Sequence, residues 1–197
     1  MRSIWRLFVP LFVVAISPYG IAQVEKPVKT EITIDKVLST SVTHLQRLLL
    51  PLALAMPEDK YGFAPTNGEF KGVRTFAQQL KHVAATNFIY ASSILGEKPP
   101  ADVGEEEDGP ASLKTKAEIL KYVNESFAYV QKAVATIDAK NVVSPIKNPF
   151  GEGDATRLAM TTLIIGHCYD HYGQMVEYLR MESCHLPASA RRLRTRL

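Results

Sequence analysis

Cysteine is nearly absent: Cys168 and Cys184 are the only two in 197 residues. Two thiols are too few for a disulfide-stapled small fold or a cysteine-rich zinc module. Alternating apolar and polar residues are just as scarce. The run Glu31-Ile-Thr-Ile is too short to found a sheet. The chain has no internal repeat, no Gly-rich phosphate loop, no HExxH helix and no GxSxG nucleophile elbow. It also lacks an apolar run of the roughly 20 residues that a membrane-spanning helix requires. A surplus of one charge sign is missing as well. The formal net charge is +3, but two arginines lie near the start and four in the last seven residues. Without those six of the 23 basic residues, 17 face 20 acidic ones and the body carries −3. No basic stripe of the kind nucleic-acid binding needs is visible, so no nucleic-acid partner is expected.

What is present describes one globular domain with two appendages. The chain is 46% hydrophobic and 22% charged, ample for an ordered core. The first 22 residues read as an export signal. Arg2 and Arg6 give a basic start, residues 7–16 form a short uncharged apolar run, and Ser17, Pro18 and Gly20 break it. Gly20-Ile21-Ala22 places small residues before a cut at Gln23. No cysteine follows for a lipid anchor, so a secreted or periplasmic protein without stable membrane insertion is expected. Residues 23–190 are the domain, and residues 191–197 are a solvated basic tail.

Four segments show helical periodicity, over residues 32–56, 75–96, 115–138 and from Asp154 to about residue 183. In the first, Leu38, Val42, Leu45, Leu49 and Leu52 recur at three- and four-residue steps, with Pro51 expected to kink it or begin a new turn. Thr75 with Gln78 and Thr115 with Glu118 read as capping boxes, Gly96 as a C-terminal cap and Asp154 as an N-cap. The acidic run Glu105-Glu-Glu-Asp108 reads as a solvated loop. Four amphipathic helices joined by loops predict an all-α four-helix bundle. One helix carrying both cysteines would hold them about 24 Å apart, beyond disulfide reach, so two unpaired thiols are expected.

The chemistry concentrates in histidine. His167 and His171, four apart, project from one helix face, one turn from each other. Neutral imidazole ligates zinc, nickel, copper and iron. An HxxxH pair alone is a weak pointer, since many such pairs sit on surfaces or in cores. Here it belongs to the stripe Met160, Ile164, His167, His171, Gln174 and Tyr178. Buried imidazoles need partners for both nitrogens, and a metal, a carbonyl or a water can supply one. His82, in the second helix near Gln78, Gln79 and Thr86, is the third candidate. One histidine from one helix and an i, i+4 pair from another make a three-nitrogen site with open positions, the catalytic pattern. His44 is placed to approach the same cavity, and His185 reads as exposed. Asp170 and Glu177 are candidate supporting or general-base groups, with plain surface positions as the alternative. Cys168 points about 100° from His167, which disfavours a Cys–His nucleophile pair.

Several stretches together resemble the DinB-like superfamily: Met56-Pro-Glu-Asp-Lys-Tyr-Gly-Phe-Ala-Pro65, Arg74 to Asn87, Gly96-Glu-Lys-Pro-Pro100, His167-Cys-Tyr-Asp-His171 through Arg180, and Leu186-Pro-Ala-Ser-Ala190. The resemblance implies an up-down-down-up bundle, a homodimer and a divalent metal, zinc or nickel, held by His82, His167 and His171. It also implies a small-molecule substrate, and in some relatives a transferase or isomerase reaction with a low-molecular-weight thiol. The export signal departs from that thiol chemistry, which is mainly cytoplasmic. The stretch Met181-Glu-Ser-Cys-His185 departs from the family's glycine- and proline-containing ending. The readings that follow are an exported metal-dependent hydrolase or group-transfer enzyme, a non-catalytic metal- or ligand-binding bundle, and a dimerisation partner with satisfied core histidines.

Overall fold

A computed structural model of the protein describes residues 31–188 and 190. The export signal expected over residues 1–22 and the basic tail over 191–197 lie outside the described residues. Four helices carry the fold: α1 (Ile34–Ala55), α2 (Phe76–Leu95), α3 (Lys116–Val134) and α4 (Arg157–Met181). None among the described residues is long and apolar enough to cross a membrane.

Local chemistry sets the helix ends. α2 and α3 each begin in a capping box, with Thr75 and Gln78 or Thr115 and Glu118 exchanging side-chain and backbone bonds. Such caps contribute about 1 kcal/mol each. Gly96 ends α2 in the left-handed region, where it lacks the Cβ penalty. α1 runs on through Pro51, which forfeits a single backbone donor, and stops at extended Met56 ahead of Pro57. Two expectations need correction. α3 ends at Val134 rather than near Asp138. α4 is capped by Thr156, whose hydroxyl accepts from the Ala159 amide, not by Asp154. Asp154 belongs instead to a small antiparallel hairpin, β1 (Pro145–Lys147) and β2 (Asp154–Thr156), whose strands are too short to show alternation.

Contacts between helices define the connectivity. α1 and α2 each pack on α3 and α4, whereas the diagonal pairs scarcely touch. Gln79 meets Gln174 and Asn87 meets Cys168, so α2 and α4 are antiparallel. Asn87 meets Ser126 and Ser92 meets Tyr129, so α2 and α3 are parallel. Ser39 bonds Gln131 and the Lys116 ammonium bonds the Met56 carbonyl, so α1 and α3 are antiparallel. Lys60, just past α1, pairs with Glu182 at the end of α4. The order is therefore up-down-down-up. Leu45, Leu49, Leu52, Phe76, Leu80, Phe127, Ile164 and Met175 fill the core, each nearly fully buried. Cys168 and Cys184 are both free thiols.

The segment between α2 and α3 keeps Glu105 and Glu106 exposed, as its composition suggests, yet it is not a free loop. It folds back on α2: Tyr122 donates to the Asp102 carbonyl, the Lys81 ammonium to that of Pro110, and Arg74 pairs with Asp108. Gly104 (φ +72°) and Gly109 (φ +71°) allow this fold-back. A Cβ on Gly104 would lie 2.2 Å from the Gly109 carbonyl oxygen, and one on Gly109 would lie 2.9 Å from Lys81 Cβ. Gly104→Ala is therefore expected to destabilise the fold by about 2–3 kcal/mol. Gly72→Ala, with positive φ but open space around it, should cost only about 1 kcal/mol. Thermal unfolding of the two variants checks this; equal losses would show that the close approach contributes nothing.

Candidate metal centre

The antiparallel seam between α2 and α4 brings together three histidines from two helices. His167 and His171 are successive turns of α4, and His82 comes from α2. Their Nε2 atoms converge: His167 lies 3.1 Å from His82 and 3.0 Å from His171. His82 and His171 are buried and His167 is half-buried. Among the described residues these three form the one group of three or more histidine, cysteine or acidic side chains whose ligand atoms converge.

The opposite nitrogens decide the proton positions. His82 Nδ1 lies 2.9 Å from the Glu107 carbonyl, an acceptor, so it must donate. His167 Nδ1 lies 3.2 Å from the Thr86 hydroxyl. That hydroxyl donates to the carbonyls of its own helix turn, at His82 and Val83, which leaves its oxygen to accept. His171 Nδ1 meets Gln79 Oε1, also an acceptor. All three rings are thus Nδ1–H tautomers with bare Nε2 lone pairs facing one another. Burial lowers the basicity of all three. His167 is pushed down to about 3 by burial and then by its two histidine neighbours. His171 is pushed to about 4 by burial, His82 and Arg74, and His82 is lowered chiefly by burial. No proton is therefore available near neutral pH to bridge the lone pairs. Two nitrogens at about 2.0–2.1 Å from a common ion lie about 2.9 Å apart at a right angle and about 3.3 Å apart at the tetrahedral angle, a range that includes the separations here. The cluster is able to coordinate a divalent metal ion.

His171 also lines a polar cleft of about 730 Å³, whose walls include Arg74, Gln78, Glu106, Asp108, Asp170 and Gln174. Arg74 Nε donates to Asp108 at 2.7 Å. Glu106 and Glu107 adopt positive φ (49° and 56°), uncommon for residues with a Cβ. That backbone turn aims the Glu107 carbonyl at His82. Other sequence candidates fall elsewhere. His44 does not approach the cavity; it and His185 are exposed. Cys168 is fully buried, its thiol pushed up to about 12, which leaves it inert. Gln79, Thr86 and the Glu107 carbonyl are supporting groups that sequence reasoning did not assign. Gln79 and Thr86 stand one turn either side of His82, a signal that was readable; a backbone acceptor leaves none.

The depressed histidine basicities have a sign. Unfolded histidine protonates near 6.5, whereas folded His167 and His171 stay neutral to about 3–4 and His82 is also lowered. The unfolded chain therefore binds more protons in that window, and stability is lost as pH falls below about 6.5. Each ring contributes at most about 1.4 kcal/mol per pH unit. Metal-free protein should melt markedly lower near pH 5.5 than near pH 7.5, and His167→Asn should flatten that dependence. Thermal melts across the range check it.

The comparisons agree with this architecture. None of the curated proteins matches the chain. A DinB-like protein from Bacillus cereus superposes with a TM-score of 0.61 at 17% identity, over 79% of this chain and 97% of that one. A conserved protein from Enterococcus faecalis gives 0.61 at 14% identity, over 76% and 97%. At such identities the likeness concerns the fold. The family model described as DinB superfamily matches residues 42–175, which include all three histidines. With two-thirds of its length matched and the four-helix topology in place, the chain belongs to the DinB superfamily.

Proposed function

We propose that the protein is an exported metalloenzyme in which His82, His167 and His171 hold zinc or nickel and a small polar substrate enters through the cleft beside His171. The observation that carries this reading is the convergence of three bare Nε2 lone pairs, each ring oriented by a bond at Nδ1. Three protein ligands leave positions open, unlike a closed structural site. A bound divalent ion would activate water at neutral pH and polarise a substrate oxygen. The chain's own groups do the rest. The α2–α4 seam keeps the rings neutral and largely dry. Arg74, steadied by Asp108, presents a cation to a carbonyl or anionic oxygen, and Gln78 and Gln174 offer amide donors. Hydrolysis is preferred over thiol-dependent transfer, because water is always present outside the cell.

One observation favours the alternative of a non-catalytic metal- or ligand-binding bundle. Of the three carboxylates lining the cleft, Glu106, Asp108 and Asp170, the last two are already held by Arg74 and Gln174. Mature protein starting at Gln23 should carry close to one equivalent of zinc or nickel by elemental analysis. His167→Ala and His171→Ala should carry almost none. Turnover of a panel of esters and amides that disappears in both variants supports the enzyme. Metal without turnover supports the binding module, and equal, near-zero metal in all three proteins sinks both.

Self-association belongs to the same proposal. Leu158, Ile165 and Tyr169 share the face of α4 opposite the histidines, and Leu158 and Tyr169 are more than 40% exposed. Two such faces would bury each other's apolar surface. Sedimentation should show a dimer that Tyr169→Glu converts to monomer.

A further inference from the structure

Three hydrogen bonds run in series from the histidine cluster to the surface. His171 Nδ1 meets Gln79 Oε1. Gln79 Nε2 donates to Gln174 Oε1 at 2.7 Å, and Gln174 Nε2 donates to Asp170 Oδ2 at 2.8 Å. Gln79 is buried, Gln174 half-buried and Asp170 exposed. The series crosses from α4 to α2 and back, ending one residue before the histidine where it starts.

An amide has a donor end and an acceptor end, and a neutral imidazole has two tautomers. Two amides and a ring in series therefore have two self-consistent directions. In one, every donor points toward Asp170. In the other all are reversed, and Gln174 turns its oxygen toward Asp170. A carboxylate only accepts, so the reversed direction fails at its last link. Followed inward, the surviving direction turns the Gln174 amide nitrogen to Asp170 and the Gln174 oxygen to Gln79. It turns the Gln79 oxygen to His171 and so places the ring proton on Nδ1. The other two rings need no such terminus. His82 rests on a backbone carbonyl and His167 on a hydroxyl whose proton its own helix already takes. Only His171 is oriented through groups that can flip.

We propose that Asp170 is a positioning residue that fixes the tautomer of His171 through Gln174 and Gln79, keeping its Nε2 lone pair bare and directed at the cluster. This rests on the metal-site reading for its purpose, but the tautomer can be observed without metal. The test uses metal-free mature protein at neutral pH. Imidazole ¹⁵N spectra report the His171 tautomer, and competition with a chromophoric chelator reports Zn²⁺ affinity. Asp170→Asn offers either a donor or an acceptor and removes the bias without touching the core. His171 should pass from a single Nδ1–H form to a mixture, and Zn²⁺ affinity should fall about 10-fold. Adding Gln174→Glu moves the acceptor-only group one link inward, where it still receives the Gln79 amide. The double variant should regain the single tautomer and most of the affinity. An unchanged tautomer in Asp170→Asn, or a loss that the double variant does not recover, overturns the proposal. If the wild type and variants show the expected tautomers but no protein takes Zn²⁺, the metal reading fails and the relay stands.

Discussion

Three imidazole nitrogens with bare lone pairs, two neighbouring pairs of them about 3 Å apart, repel one another, and the interior gives them little water to soften that repulsion. The seam between α2 and α4 holds them there because each ring is gripped at its other nitrogen, by a backbone carbonyl, a hydroxyl or an amide oxygen. Burial adds to the constraint by making the protonated rings costly, so a shared proton cannot relieve it near neutral pH. A cation at the point where the lone pairs meet would relieve that repulsion. Much of the local structure serves that arrangement.

The connectivity sets up the same arrangement. In simple up-down-up-down order α2 would lie beside α1 and α3. Here the diagonal placement of α1 and α2 leaves α2 between α3 and α4, so that His82 faces the HxxxH pair. Such an order demands long connections, and the chain puts them to use. The segment from α2 to α3 returns over α2 and delivers the Glu107 carbonyl to His82, with Gly104 and Gly109 permitting the close approach. The segment from α3 to α4 closes as a small hairpin that ends at the α4 cap.

Much of this was legible in the sequence where side chains carry the signal. The capping boxes at Thr75 and Thr115 depend on residue types three apart, and they form as read. The i, i+4 histidines share a face by helix geometry alone. What escaped reading depends on backbone or on continuity of pattern. Ile137 is buried and extends the apolar stripe of α3 beyond the helix's end at Val134, so periodicity alone overran it. Strands of three residues cannot display alternation, so Asp154 looked like a cap. The acidic run looked solvated because its composition describes side chains, whereas its contribution to the site is a main-chain oxygen. His44 has the helical position of an inward residue only if α1 is rotated, and its own leucines fix the rotation that exposes it.

The cleft adds a last asymmetry. Of the three histidines, His171 is the one that lines it. The same ring is steadied by flexible amides, whereas His82 rests on a backbone carbonyl and His167 on the Thr86 hydroxyl. An amide series can yield slightly while keeping its direction, so long as its outer end is an acceptor. The compliant anchor therefore stands on the cleft side of the cluster, at the histidine that lines the cleft.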